Sequence, residues 1–196
     1  MDSFPFLVFK DQSSRDFGLF IVSKCSYNGA SRDVTYTSIP GRSGDLITDN
    51  GRYKNIDISY SLTLLNDTGQ PFDELSHQIK GWLLSESGYF KLWDTYDPNY
   101  YRLASFSDEV NIDQELKVLG SLSLTFNCKP YKYSLEGQKT IVFTEAGALY
   151  NAEFFASTPY IKVIGNGTVD LRINDSSFIL KDIDEYIELD FDLLNA

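Results

Sequence analysis

The sequence has 196 residues, of which 42% are apolar, and a formal net charge of −11. Its basic residues form no cluster, which argues against phosphate-mediated nucleic-acid binding and against an anionic membrane as partner. No apolar run approaches the ~18 residues that cross a bilayer, and the opening MDSFPFLVFKDQSS lacks the cationic start of a signal peptide. We therefore expect a protein that is made and assembled in a cytoplasm.

The cysteine content argues against a disulfide-stabilised fold. Cys25 and Cys128 are the two cysteines of the chain, too few for a disulfide framework. In reducing surroundings both are expected to be small buried apolar side chains, with a single bridge as the alternative.

Two long segments of the first part of the chain alternate between apolar and polar residues. This period of two predicts strands with one apolar and one solvated face. The apolar positions are Ile56, Ile58, Tyr60, Leu62 and Leu64 in the first segment, and Leu122, Leu124, Phe126 and Cys128 in the second. The polar positions between them are Asp57, Ser59, Ser61 and Thr63, and then Ser121, Ser123, Thr125 and Asn127.

Shorter strands are predicted at residues 6–9, 19–23, 140–143, 160–164, 169–173 and 178–180, and a last one from Ile187 to Leu193. Turns are predicted at Asn50-Gly51 and at Pro40-Gly41, both inside a long loop over residues 38–52.

One segment between the two long strands has the helical period. Its apolar stripe is Phe72, Leu75, Ile79, Trp82 and Leu83. Pro71 is expected at the first helical position, with Asp73 and Glu74 in the first turn, and Gly88 marks the expected end. The fold class is therefore mainly β, an α+β arrangement in which one helix packs on a sheet.

A domain boundary is predicted at Lys129-Pro130-Tyr131, where a long strand gives way to short strands with Gly and Asn turns. Residues 1–131 would form the first domain and residues 132–196 a second. A β module of about 65 residues buries little of its surface. We expect this second domain to be incomplete, or to be completed by another chain.

No residue set predicts an enzyme, a cofactor site or a metal site. The single histidine, His77, falls on the solvated side of the predicted helix, away from any nucleophile. Asp94 and Asp97 lie among aromatic residues and leave a glycoside hydrolase as an alternative, although Asp97-Pro98 is first of all a turn. The acidic row Glu188, Asp190 and Asp192 lacks the turn geometry of a calcium loop.

The segment IPGRSGD at residues 39–45 lacks the Gly-Lys-Ser/Thr ending of a phosphate-binding loop, and no helix is predicted after it. We interpret it as a glycine turn within the long loop.

Five segments together resemble the distal tail (Dit) proteins of siphophages that infect Gram-positive bacteria. They are FLVFKDQSSRDFGLFIVSK, IPGRSGDLITDNGRYKNIDISYSL, IKGWLLSESGYFKLWDTYDPNYYRLA, GSLSLTFNCKPYKY and ASTPYIKVIGNGTVDLRIN, in the order of the chain. The resemblance implies a β-sandwich-like ring domain followed by part of a galectin-like β domain. It also implies a structural protein of the virion, a homo-hexameric ring between the tail tube and the adsorption apparatus or baseplate.

The partners implied are the tail tube protein, the tail-associated lysin or hub, and receptor-binding or baseplate proteins. DNA would be met only in transit during ejection. Both tryptophans lie in the first part, so the second lacks the usual sugar-stacking platform. A carbohydrate-binding β-sandwich module nevertheless remains the alternative function.

Two hypotheses make the ring concrete. The eight polar residues of the two long strands carry no Lys or Arg, and repeated around a rotation axis they would line a channel that does not retain DNA. The loop over residues 38–52 would reach the neighbouring subunit, because a loop of this length is unusual without a partner. Its candidate interface residues are Pro40, Gly41, Arg42, Gly44 and Asp45.

Overall fold

The computed structural model describes residues 4–24, 29–67, 69–116 and 118–194. Cys25 lies outside these ranges, so the predicted state of its thiol stays a prediction. The strands of the first part are β1 (Leu7–Phe9), β2 (Gln12–Ser13), β3 (Leu19–Lys24), β4 (Arg32–Thr37), β5 (Leu46–Tyr53), β6 (Ile56–Leu65), β7 (Phe90–Asp94), β8 (Tyr100–Ser105), β9 (Ile112–Leu116) and β10 (Leu119–Ser134). Later come β11 (Tyr160–Ile164), β12 (Gly167–Ile173), β13 (Ser176–Ile183) and β14 (Tyr186–Asp190). The α-helices are α1 (Phe72–Leu84) and α2 (Phe191–Leu194).

Within the described ranges, the first part builds one antiparallel sheet. Its strands follow the order β2-β1-β7-β8-β10-β6-β3, with β9 paired to β10 outside this path. The sheet is strongly curled, so that β3 at one end of the order lies next to the residues directly before β1. There the Ile21 amide donates to the Pro5 carbonyl at 2.8 Å. The Phe4 and Phe20 rings lie 5.6 Å apart across the same junction.

The inside of the curled sheet is the hydrophobic core. The alternating apolar positions of β6 and β10 are buried there, from Ile56 to Leu64 and from Leu122 to Cys128. Helix α1 packs on the core through Leu75, Ile79, Trp82 and Leu83, all buried. The mainly β class with one packed helix is therefore confirmed, because both sequence periods appear as buried faces.

Contacts with the β1–β2 hairpin hold the C-terminal end of α1. The Trp82 indole donates to the Phe9 carbonyl at 2.9 Å. The Lys10 ammonium donates to the carbonyls of Leu83 and Glu86, at 3.3 and 3.0 Å. These carbonyls lie at the end of the helix, which stops at Leu84. Pro71 is the N-cap residue rather than the first helical residue, and the helix ends before the predicted Gly88.

The chain divides into two compact units, Met1–Thr140 and Ile141–Ala196. The first unit extends past the boundary predicted at residues 129–131, because β10 continues to Ser134. Pro130 is tolerated in this strand because it falls where the register to β8 shifts, between Cys128 and Lys132, and so removes no ladder hydrogen bond. The assignment of residues 1–131 to a ring domain and 132–196 to a galectin-like domain stays a prediction.

The second unit consists of two antiparallel pairs, β11 with β14 and β12 with β13. The strand predicted at residues 140–143 is wrong: Ile141, Val142 and Phe143 are exposed and outside any strand. The last predicted strand also ends earlier than expected, since β14 stops at Asp190 and a helical turn follows. Phe178 and Phe191 still contact each other edge to face, with ring centroids 5.3 Å apart.

Candidate functional site

The solvated sides of β6 and β10 form one continuous surface on the outside of the curled sheet. The strands pair antiparallel over ten consecutive residue pairs, from Leu119 opposite Leu65 to Cys128 opposite Ile56. In this register each polar residue faces another polar residue. We call the surface the polar face; its pairs are Ser121 with Thr63, Ser123 with Ser61, Thr125 with Ser59, and Asn127 with Asp57.

Hydrogen bonds run across the polar face between the two strands. The Ser59 and Thr125 hydroxyl oxygens lie 2.8 Å apart. The Asn127 side-chain amide donates to the Asp57 carboxylate at 3.0 Å, and the Asn55 amide donates to the Asn127 side-chain carbonyl at 2.6 Å. Because Ser59 with Thr125 and Asp57 with Asn127 are linked by hydrogen bonds, these side chains are held in place before any partner arrives.

The charge of the polar face is acidic. Its eight residues include one carboxylate, Asp57, and neither Lys nor Arg. At the other end, the Ser121 hydroxyl donates to Glu115 on β9 at 2.9 Å, which adds a second carboxylate to the border of the face. The eight side chains contain no cation and so give phosphate groups no counter-charge. Beyond the Asn127 end of the face, the Lys129 ammonium lies over the Tyr89 ring, 5.3 Å from its centroid.

The five predicted interface residues lie at the tip of an exposed hairpin formed by β4 and β5, which we call the arm (residues 32–53). The predicted loop over residues 38–52 is wrong in its second half, because residues 46–53 pair with β4. Only residues 38–45 remain as a loop, and all five candidates in it are exposed: Pro40, Gly41, Arg42, Gly44 and Asp45. The Arg42 amide donates to the Ile39 carbonyl at 3.1 Å, which closes a four-residue turn. Gly41, the third residue of this turn, has φ +80°, as a type II turn requires.

The predicted Asn50-Gly51 turn is a bulge inside β5. The register to β4 shifts between Arg32 and Val34, opposite these residues, and Gly51 has φ +73°. The Gly51 amide donates to the Asp49 carboxylate at 2.9 Å, and this hydrogen bond is the main reason that the pKa of Asp49 is lowered. Turn and bulge both need positive φ at one residue, so the sequence signal did not distinguish them.

Ion pairs fix the base of the arm. Arg52 binds Asp33 at 2.7 Å, and the Lys54 ammonium lies 3.7 Å from the same carboxylate. The hydrogen bond from Arg52 is the largest cause of the lowered pKa of Asp33. The arm is thus anchored where it leaves the sheet.

Exposed apolar side chains cover much of the arm. They are Tyr36, Ile39, Leu46 and Ile47, with exposed fractions of 62%, 36%, 47% and 60%. Isolated exposed apolar residues are normal, but four on a single hairpin indicate a surface that contacts another molecule.

The geometry of Asp94 and Asp97 is that of structural ion pairs. Asp94 is 5% exposed, and its carboxylate accepts from Lys24 at 2.7 Å, from the Tyr60 hydroxyl at 2.6 Å and from the Tyr96 amide at 2.9 Å. Burial, and next the Asp94 charge, raise the pKa of Tyr60 above its ordinary value. Asp97 binds Lys132. Both carboxylate oxygens of Asp94 are occupied, so the glycosidase alternative finds no support in this geometry.

The other sequence candidates show no convergent site. His77 is exposed on α1. Glu188 lies on β14, where hydrogen bonds from Tyr160 and then Lys162 lower its pKa, whereas Asp192 lies on α2. Among the described residues, no group of His, Cys, Asp and Glu is arranged to hold a metal ion. In the same residues, neither helix has the length and apolar character needed to cross a bilayer.

Sequence reasoning missed the Lys24–Asp94–Tyr60 cluster and the role of Asn55. Lys24 and Asp94 are 70 positions apart, and no local pattern links them. The one signal for Asn55 was its place directly before the long alternating strand.

Comparison with known proteins identifies the class of the chain. A family model described as phage tail protein RIFT-related domain matches residues 3–128. The protein is therefore a phage tail protein, and it belongs to the RIFT-related domain family. No curated protein sequence matches the chain significantly.

A solved structure shares the fold. The crystal structure of the SPP1 Dit protein, described as a paradigm of the hub adsorption apparatus in phages that infect Gram-positive bacteria, superposes with a TM-score of 0.54 at 12% identity. The match covers 86% of this chain and 58% of the SPP1 protein, so the chain spans less than two thirds of that relative. The family match and the common fold confirm the resemblance to distal tail proteins seen in the sequence.

Proposed function

We propose that this tail protein is the subunit of a homo-hexameric ring that joins the tail tube to the adsorption apparatus and lets DNA pass. The polar face carries the proposal: it is a strip without cations, ordered by its own hydrogen bonds, and about 30 Å long for ten residues at ~3.3 Å each. Repeated around a closed axis, the strip becomes a continuous inner wall that DNA crosses without electrostatic retention.

The arm supports the same proposal, because it offers a surface for contacts between subunits. A ring needs contacts between neighbours, and the exposed apolar residues of the arm are suited to make them. We infer that Pro40, Gly41, Arg42, Gly44 and Asp45 lie in the subunit interface. The ring would assemble in the host cytoplasm before it enters the virion.

The remaining partners follow from the position of a hub. The SPP1 protein is named as part of a hub adsorption apparatus. By analogy, this chain would contact the tail tube protein on one side, and the tail-associated lysin and receptor-binding or baseplate proteins on the other. The second unit would be a galectin-like domain that holds the peripheral components.

Light scattering after size-exclusion chromatography tests the ring. We expect the mass of six chains, and negative-stain images with sixfold symmetry and a central channel. A chain that stays monomeric at every concentration would refute the proposal.

Gold labelling of a single cysteine tests the orientation of the polar face. In a Cys25→Ser background, a Ser123→Cys label should lie at the channel, whereas a Ser176→Cys label on the second unit should lie at the periphery. A Ser123→Cys label at the outer rim of a sixfold ring would refute the wall while leaving the ring intact.

A further inference from the structure

A groove lies between the β1–β2 hairpin and the C-terminal half of α1. Its volume is about 600 Å³, within the range of pockets that take up several side chains. The lining includes three aromatic residues: Phe17 stacks on Trp82 with ring centroids 4.8 Å apart, and Phe90 also contributes to the groove. We call it the helix groove; its polar rim includes Lys10, Asp11, Gln12, Gln78, Ser85 and Glu86.

The rim carries two carboxylates that form no ion pair with the described residues of the subunit. Among the described residues, neither the Asp11 nor the Glu86 carboxylate takes part in an ion pair. The Lys10 ammonium is directed to backbone carbonyls and to the Phe90 ring, whose centroid is 4.8 Å away. The groove therefore presents an apolar floor whose charged rim residues are the Asp11 and Glu86 carboxylates and the Lys10 ammonium, which leaves the rim with a net charge of −1 (1 − 2 = −1).

The tip of the arm has the complementary character. Ile39 and Pro40 are exposed apolar residues, and Arg42 follows them in the same turn. The Arg42 guanidinium has no ion-pair partner in the described part of the chain. Apolar side chains next to a single free cation match an aromatic floor next to free carboxylates.

Symmetry favours a contact between these two surfaces. A ring of more than two subunits needs a heterologous interface, in which one patch of a subunit meets a different patch of the next. The arm and the helix groove are two such patches, because no residue of the arm lines the groove.

We propose that the arm tip of one subunit docks into the helix groove of a second copy of this chain, with Ile39 and Pro40 over Trp82 and Phe17 and with Arg42 between Asp11 and Glu86. This inference rests on the proposed ring and names the contact that closes it. In a closed ring each subunit then inserts one arm into its neighbour and accepts one arm in its own groove, so no arm and no groove stays unoccupied.

Charge exchange tests the proposal. Arg42→Glu brings three carboxylates together, so the concentration at which rings form should rise about tenfold or more, as for about 1.4 kcal/mol or more per contact. The pair Asp11→Lys/Glu86→Lys should act in the same direction. The triple variant, which carries all three changes, should restore assembly, a recovery that general misfolding does not give.

Cross-linking between chains tests the geometry. In a Cys25→Ser background, Ser43→Cys chains mixed with Gln78→Cys chains should form disulfide-linked dimers. Lys80→Cys is the matched control, because it lies about 200° further around the helix and outside the groove. Cys128 does not interfere, since burial raises its thiol pKa to about 12.

The outcomes separate this proposal from the ring itself. Dimers with Gln78→Cys but not with Lys80→Cys, together with rescue by the triple variant, support it. Rings that form without this cross-link refute the docking of the arm in the groove but do not contradict the ring itself. A chain that is monomeric throughout overturns both.

Discussion

Replacement of Asp94 by alanine tests whether its carboxylate is structural. The substitution removes the acceptor of three hydrogen bonds, and it takes from the Lys24 ammonium, whose side chain is 9% exposed, the carboxylate that it binds at 2.7 Å. Breaking a buried ion pair by removing one partner costs about 3–5 kcal/mol. At about 3 °C per kcal/mol for a unit of this size, the melting temperature should fall by about 10–15 °C.

Asp97 provides the matched control within the same segment. Its side chain is 24% exposed and that of its partner Lys132 is 41% exposed. A solvent-accessible pair of this kind contributes about 0–1 kcal/mol, so Asp97→Ala should lower the melting temperature by under ~4 °C.

Tryptophan fluorescence reports on both variants, since Trp82 and Trp93 both lie in the first compact unit. Heating gives the melting temperatures, and urea unfolding gives the free energies of unfolding. The denaturant dependence should stay constant while the midpoint shifts. Lys24→Met/Asp94→Leu should recover the part of the loss that comes from the Lys24 charge, because it removes both charges, whereas the buried Tyr60 hydroxyl still lacks its acceptor. Equal losses for Asp94→Ala and Asp97→Ala would refute the reasoning.

Three further predictions concern the backbone, a thiol and the polar face. Gly18→Ala should destabilise the first unit by more than ~1–2 kcal/mol, because Gly18 has φ +69° and a Cβ there would lie 2.4 Å from the Leu65 carbonyl oxygen; an unchanged urea midpoint would contradict this. Burial raises the pKa of Cys128 from 9.0 to about 12, so its contribution to stability is complete below pH 9 and is lost as pH rises toward 12. The unfolding free energy should therefore decline more steeply over that window in the natural chain than in Cys128→Val. Ser61→Lys/Ser123→Lys rings should bind DNA with an affinity that falls with salt, by a log–log slope of about −0.9 per neutralised phosphate, and filter binding should detect no such affinity in the unmodified ring.

The sequence was sufficient for the faces of the two long strands but not for their pairing. Alternation assigned Ser59 and Thr125 to solvated faces, and the structure bears this out. A period of two fixes which side a residue faces but not which residue lies opposite it. That Ser59 meets Thr125 and that Asn127 meets Asp57 followed only from the register.

Signals with two structural meanings account for the errors. Asn50-Gly51 predicted a turn and is a bulge. Pro130 predicted the end of a strand and lies inside the continuous strand β10, whereas the domain assignment itself stays a prediction. In both cases the local conformation was as expected, and only long-range pairing determined its context. The strand predicted at 140–143 failed for a related reason, because β-branched residues favour a strand only where a neighbouring strand accepts them.

The continuity of β10 has a mechanical consequence. The strand pairs with β6 on one edge and with β9 and then β8 on the other, and the second unit begins seven residues after Ser134, the last residue of the strand. Ladder hydrogen bonds are perpendicular to the strands. Tension applied through the second unit and directed along β10 would load these bonds in shear, all at once, rather than peel them one by one. A pull on the second unit along this direction would thus meet its greatest resistance in the pairing of β10 with β6 and β8.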